Sequence, residues 1–264
     1  MEHPEIVYKY RDWNEPYHQK ILTENQLYLS SPGEFNDPFD CRIAPNMALL
    51  LKSEGDLEFY ANRIANANKP RIEADGIDFE DFKNSIKNSL RNKLSSSQSE
   101  YEDMYYKSQD MNYGVLSMGG RWNSILMWSH YANKHQGFCV GFDTQKMNDS
   151  RFFGSGGPVH YNTEYPDIHP NDKSPISMFT ETHTKSEEWI YEDEYRYIQM
   201  IQGRSIEERL VTIPDNFYRE LILGINCPID HRDSLIKLAQ EKSIPVYQAH
   251  KVERRFEIGR ELVG

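Results

Sequence analysis

The stretch Gly137-Phe138-Cys139-Val140-Gly141-Phe142 is a short apolar run, opened by glycine and closed by Asp143. A run of this length and composition reads as a buried strand. Before it, Asn123 to Ala132 has helical character, and Gly114-Val115-Leu116-Ser117-Met118 reads as a strand ending in the turn pair Gly119-Gly120. Further out, residues 47 to about 107 read as helical. Leu50, Leu57, Tyr60, Ala61 and Ile64 keep near-helical spacing, with Gly55 a weak point. Asp78, with Asp81 three residues on, is the expected N-cap of a second helix. That helix carries Phe79, Phe82, Ile86, Leu90 and Leu94 on one stripe, and Ser95-Ser96-Ser97 is expected to end it.

At the front of the chain, Ile6-Val7-Tyr8-Lys9-Tyr10-Arg11 alternates, with Tyr8 and Tyr10 on one face and Lys9 and Arg11 on the other. A short helix is expected from Pro16 to Asn25 and a strand from Gln26 to Ser30. Residues 143 to 188 are loop-rich, with one short strand near Val159 to Asn162. Strand character returns at Trp189 to Met200 and at Leu221 to Ile225. A helix capped by Asp230 then runs to Lys242, and a last strand opens at Pro245. Mixed strands with clustered helices indicate an α+β fold rather than a doubly wound one. The expected organisation is one α+β domain over residues 1–264 with a helical insertion at 47–107.

Composition narrows the function. With 41 acidic and 30 basic residues in a chain of 264, the formal charge is −11. Such a chain repels phosphate backbones at long range, so general nucleic-acid binding is not expected. Cys41, Cys139 and Cys227 are far apart and form no C-x-x-C pair, which speaks against a disulfide scaffold or a cysteine metal site. The first twenty residues lack the apolar core of a signal peptide, and no run of about 18 apolar residues exists to span a membrane. A cytoplasmic protein is the expectation. P-loop, dinucleotide-fingerprint, zinc-protease and serine-hydrolase signatures are absent.

The densest polar constellation is Trp189-Ile190-Tyr191-Glu192-Asp193-Glu194-Tyr195-Arg196. On a strand, Glu192, Glu194 and Arg196 share one face, where the guanidinium would hold a glutamate ionised and aimed. The same pattern also fits a solvated edge strand with a salt bridge. In Phe35-Asn36-Asp37-Pro38-Phe39-Asp40, the side chains of Asn36, Asp37 and Asp40 either bind a ligand or cation or simply close turns. His130 and Tyr131 are candidate hydrogen bonders in a ligand groove, and Lys9 with Arg11 is a candidate diphosphate clamp. No metal is expected, since closed sites need four well-spaced ligands.

Four blocks together resemble a bacterial family, the domain-of-unknown-function family 2971. They are Tyr8 to Arg11, Leu27 to Asp40, Met127 to Asp143 and Trp189 to Arg196. A more remote resemblance, to the ADP-ribosyltransferase superfamily, implies chemistry. Those enzymes bind NAD in the cleft of a split antiparallel or mixed sheet, with a basic residue on the first strand, a serine or tyrosine on the second and an E-x-E on a later one. The resemblance implies Glu194 as the catalytic carboxylate with Glu192 beside it. It implies Arg11 and Lys9 on the diphosphate and Ser30 or Ser31 orienting Glu194. Tyr10, Tyr28 or Tyr131 would stack on nicotinamide, with Asn36, Asp37, His130 and Tyr131 completing the NAD site. NAD is then a substrate, and a toxin or phage-defence setting is implied. A nucleotide-binding or signalling module without turnover is the second expectation. A metal-dependent nuclease or phosphoesterase built from Asp37, Asp40, Glu192 and Glu194 is the third.

Overall fold

A computed structural model describes residues 3–201 and 205–264. The chain falls into two compact units, one from Met1–Asn36, Met111–Thr163 and Lys185–Gly264, the other from Asp37–Asp110 and Glu164–Thr184. In chain order the elements are β1 (Ile6–Arg11), α1 (Pro16–Thr23), β2 (Gln26–Tyr28), α2 (Glu54–Ala67), α3 (Lys69–Ala74), α4 (Phe79–Asn92) and α5 (Leu94–Asn112). Then come β3 (Tyr113–Gly119), α6 (Ile125–Tyr131), β4 (Phe138–Asp143), α7 (Thr144–Asp149), β5 (Ser155–Pro158), β6 (His160–Asn162), α8 (Pro175–His183) and β7 (Thr184–Ser186). The chain closes with β8 (Glu194–Met200), β9 (Leu210–Thr212), β10 (Tyr218–Leu223), α9 (Ile229–Glu241), β11 (Val246–Lys251) and β12 (Ile258–Leu262). The α+β class holds.

The first unit is built on an eight-stranded mixed sheet in the order β12-β11-β10-β4-β1-β3-β8-β5. Every neighbouring pair is antiparallel except β10 and β11. That parallel pair is joined through α9, because a parallel connection must cross over. The Gly137–Phe142 run forms β4, buried along its whole length between β1 and β10. Alternation in β1 sorts its side chains as expected. Val7 enters one core with Leu116, Val140, Phe142 and Tyr195, while Tyr8 and Tyr10 enter the other with Trp128 and Cys139.

Pairing within this sheet is uneven, and the unevenness positions the candidate site. β1 is registered against β4 from Ile6↔Asp143 to Arg11↔Phe138. Against β3 it keeps one registered pair, Tyr8↔Gly119. β3 and β8 are paired along their lengths, from Tyr113↔Met200 to Gly119↔Glu194. The sheet therefore parts between β1 and β3 past Tyr8. The Lys9 ammonium donates to the Ser117 carbonyl across that parting.

In the second unit, α2 and α4 pack Leu57, Tyr60 and Leu90 against Met47 and Leu50 of a short 3-10 helix, Met47–Lys52. Asp78 caps α4 as expected, accepting from the amides of Glu80 (2.8 Å) and Asp81 (3.1 Å). The serine run does not end that helix. α4 stops at Asn92, and Ser95-Ser96-Ser97 open α5, where serine is tolerated in a first turn.

One glycine fixes the join between β1 and β4. A Cβ on Gly137 would lie 2.1 Å from the Arg11 carbonyl oxygen, a backbone atom that cannot swing away. Gly137→Ala should therefore lower stability by about 1–3 kcal/mol, the usual cost of overpacking. Urea unfolding checks this, and an unchanged midpoint would mean that the strands separate without cost.

Candidate functional site

Glu192 and Glu194 do not share a strand face, contrary to the alternation expected of residues 189–200. Glu187–Glu192 turns as a 3-10 helix capped by Ser186, and β8 starts only at Glu194. Between them Asp193 takes a left-handed conformation, φ 47°. Its carbonyl accepts from the Gly120 amide at 2.6 Å, and a Cβ on Gly120 would come within 2.8 Å of the Asp193 carboxylate. A glycine opposite is what lets Asp193 bend the chain here.

The bend nevertheless gathers both carboxylates on one ammonium. Lys185 Nζ lies 2.6 Å from Glu192 Oε2 and 3.3 Å from Glu194 Oε2. Arg196, two residues along β8 and on the same face as Glu194, grips it with Nε at 2.7 Å from Oε1 and Nη2 at 2.8 Å from Oε2. The Ser117 hydroxyl on β3 also donates to Glu194. The backbone amide of Glu194 donates to the Tyr161 hydroxyl at 2.8 Å. Tyr131 donates to Glu192 Oε1 at 2.6 Å.

A carboxylate has about four acceptor positions. Arg196 (twice), Lys185 and Ser117 fill those of Glu194, whereas Glu192 spends two on Tyr131 and Lys185. The side chain of Glu194 is 2% exposed and that of Arg196 is 0% exposed. Burial alone would raise the Glu194 pKa. The Arg196 guanidinium and the Lys185 ammonium overturn that and hold the carboxyl well below the usual range.

On β1, burial lowers Lys9 from its ordinary value and the neighbouring Arg11 adds to the effect, with Glu194 and Glu192 opposing it. Burial brings Arg11 down to about 10, which leaves it charged at neutral pH. Lys9, Arg11, Lys185 and Arg196 against Glu192 and Glu194 leave these six groups with a formal charge of +2. Arg11 has no carboxylate within ion-pair distance among the described residues. It lines a cavity of about 710 Å³ together with Tyr17, His18, Lys20, Tyr28 and Ser30. His18, pushed down to about 4 by burial and by Arg11, is neutral at pH 7.

Other expected site residues take other places. Ser30 spends its backbone on a bridge to Val115, and Ser31 caps the 3-10 helix Pro32–Glu34 in a box with Glu34. The serine at Glu194 is Ser117 instead. Tyr10 cannot stack on a ligand, because its ring is buried edge-on to Trp128 at 5.2 Å. His130 is exposed beside Tyr131 and Tyr191. Asn36 is exposed at the end of the first unit, and Asp37 belongs to the second, where its Oδ1 closes a turn on the Phe39 amide at 2.9 Å. Among the described residues, no group of three or more His, Cys, Asp or Glu is placed to hold a metal ion. None of the described helices is long and apolar enough to cross a membrane.

Breaking the Arg196–Glu194 pair strands a buried charge, so Arg196→Met should cost about 3–5 kcal/mol at neutral pH. The folded pKa of Glu194 is depressed, so its contribution is complete above the unfolded value of ~4.3 and is lost as pH falls toward the folded one. The gap between wild type and variant, measured by urea unfolding, should narrow from pH 7 to pH 3. A gap of equal size at both would contradict the assignment.

No curated protein and no solved structure matches this chain. Residues 127–197, the span that carries Tyr131, Lys185, both glutamates and Arg196, match a family described as "Protein of unknown function (DUF2971)".

Proposed function

We propose that the chain is an NAD-binding enzyme of the ADP-ribosyltransferase type, which breaks the bond between nicotinamide and ribose. The observation that carries this is the order of groups across three successive strands. β1 presents Lys9 and Arg11, β3 presents Ser117 and β8 begins with Glu194, on a sheet that parts between the first two. Arg11 has no carboxylate at ion-pair distance among the described residues, and a ligand phosphate supplies the missing charge in the bidentate geometry that arginine favours. The cavity that Arg11 lines has the size of a small-molecule site.

Cleavage of the glycosidic bond develops positive charge on the ribose. A fixed carboxylate nearby stabilises that charge more in the transition state than in the ground state. Glu192, with acceptor positions left over, is the group assigned to the ribose hydroxyl. Glu194, its oxygens fully engaged, acts as a positioning residue through Lys185. Arg11 and Lys9 hold the diphosphate, and Tyr28 is the aromatic wall of the cavity.

The burial of both carboxylates favours a second reading, in which the same cavity holds a nucleotide without turnover. Calorimetric titration with NAD and an assay of nicotinamide release separate the two. On the enzymatic reading Glu192→Gln should lower nicotinamide release ~10²-fold or more while NAD affinity stays nearly constant. Arg11→Ala should weaken NAD binding ~10-fold or more. Binding without release selects the second reading, and wild-type protein that binds no NAD at millimolar concentration refutes both.

A further inference from the structure

We propose that Lys185 is a positioning residue, a single ammonium shared by two buried carboxylates that sets their joint ionisation. Its part in catalysis rests on the NAD reading above. Lys185 lies outside every sequence block that pointed to chemistry, at the middle of the three-residue strand β7. Its side chain is 6% exposed, and the ammonium sits 4.8 Å over the Trp189 ring, so water is largely excluded from it. Both glutamates touch the same nitrogen.

The surrounding groups make this ammonium hard to replace. From β8, Arg196 serves Glu194. From β3, Ser117 also serves Glu194, and from β6 Tyr161 takes only its backbone amide. From α6, Tyr131 reaches Glu192 as a neutral donor, with Tyr191 beside it. From β1, Lys9 acts on both carboxylates at longer range, with Arg11 behind it. Among the described residues, Lys185 is thus the cation in direct contact with Glu192. Two adjacent carboxylates titrate as a pair, and with the shared cation removed they cannot both stay ionised so easily.

The test compares Lys185→Met, Lys185→Arg and wild type. One readout is the pH profile of nicotinamide release; the other is titration of ¹³C-labelled glutamate carboxyls by NMR without NAD. In Lys185→Met the pair should take up its first proton about one pH unit or more higher. The acid limb of kcat/KM should move up by the same amount, so the variant loses more activity at pH 5 than at pH 8, up to ~10-fold more for each unit the limb moves. Lys185→Arg should restore the wild-type limb. A loss of activity equal at all pH values, or an unmoved NMR titration, would overturn the proposal. Should Lys185→Met fail to fold, Lys185→Met/Glu192→Gln, which removes opposite charges together, should fold. Failure of that double variant too would assign Lys185 to packing alone. If wild type releases no nicotinamide, the enzymatic reading falls, while the carboxyl titration still decides whether Lys185 sets the pair's ionisation.

Discussion

A guanidinium with no exposed surface, Arg196, is held by the carboxylate two residues before it, and the polar interior of this sheet is arranged around that pair. Taking two charges out of water costs several kcal/mol per ion, and the attraction between them offsets this only with near-ideal geometry and every remaining donor and acceptor satisfied. Here the geometry is the two-pronged one, on adjacent same-face positions of β8. Lys185, Ser117 and Tyr161 complete the shell of Glu194. A hydrophobic pair of the same volume would serve stability as well or better.

The neighbours are set by the parting of the sheet. Had β1 and β3 been laddered past Tyr8, backbone hydrogen bonds would have filled the gap. Instead the Lys9 side chain crosses it to the Ser117 carbonyl, and Arg11 faces a cavity. A charged side chain standing where a ladder bond would be is a weaker seam than backbone pairing, because a competing anion can draw the ammonium away. β1 is laddered to β4 along its length and β3 to β8, so each strand is held by backbone pairing on the side away from the parting.

Much of this was legible in the residues. The apolar run at 137–142, the alternation at 6–11 and the capped helix at 78–92 obey local rules that tertiary structure left alone. The same-face relation of Glu194 and Arg196 follows from strand periodicity and is realised. Glu192 was placed beside them for the wrong reason. Strand alternation was assumed, whereas a 3-10 turn and a left-handed aspartate bring it there, and that conformation depends on Gly120, some seventy residues away in sequence. Lys185 carried no local signal, because its role comes from the pairing of a three-residue strand. Ser117 carried one, as the lone polar side chain within Val115–Met118. A serine followed by Pro-Gly-Glu, as at Ser31, is also a capping box, and capping is the role Ser31 takes. Asn36 and Asp37 likewise went to a turn at the unit boundary.

Charge makes the last step. The chain as a whole carries −11, so a dissolved anion is repelled at long range, while the six groups around the parting carry +2. At an ionic strength near 0.15 M the Debye length is about 8 Å, so the distant acidic surface is screened and only nearby charges act on a ligand already in the cleft. Repulsion outside combined with attraction inside favours a small anion that can shed its solvent and enter. The net charge disfavours a long polyanion. On the NAD reading proposed above, a compact diphosphate fits these charges better than an extended nucleic-acid duplex. On the same reading, Arg11, which has no carboxylate at ion-pair distance among the described residues and lines a cavity, is the group that would meet the diphosphate.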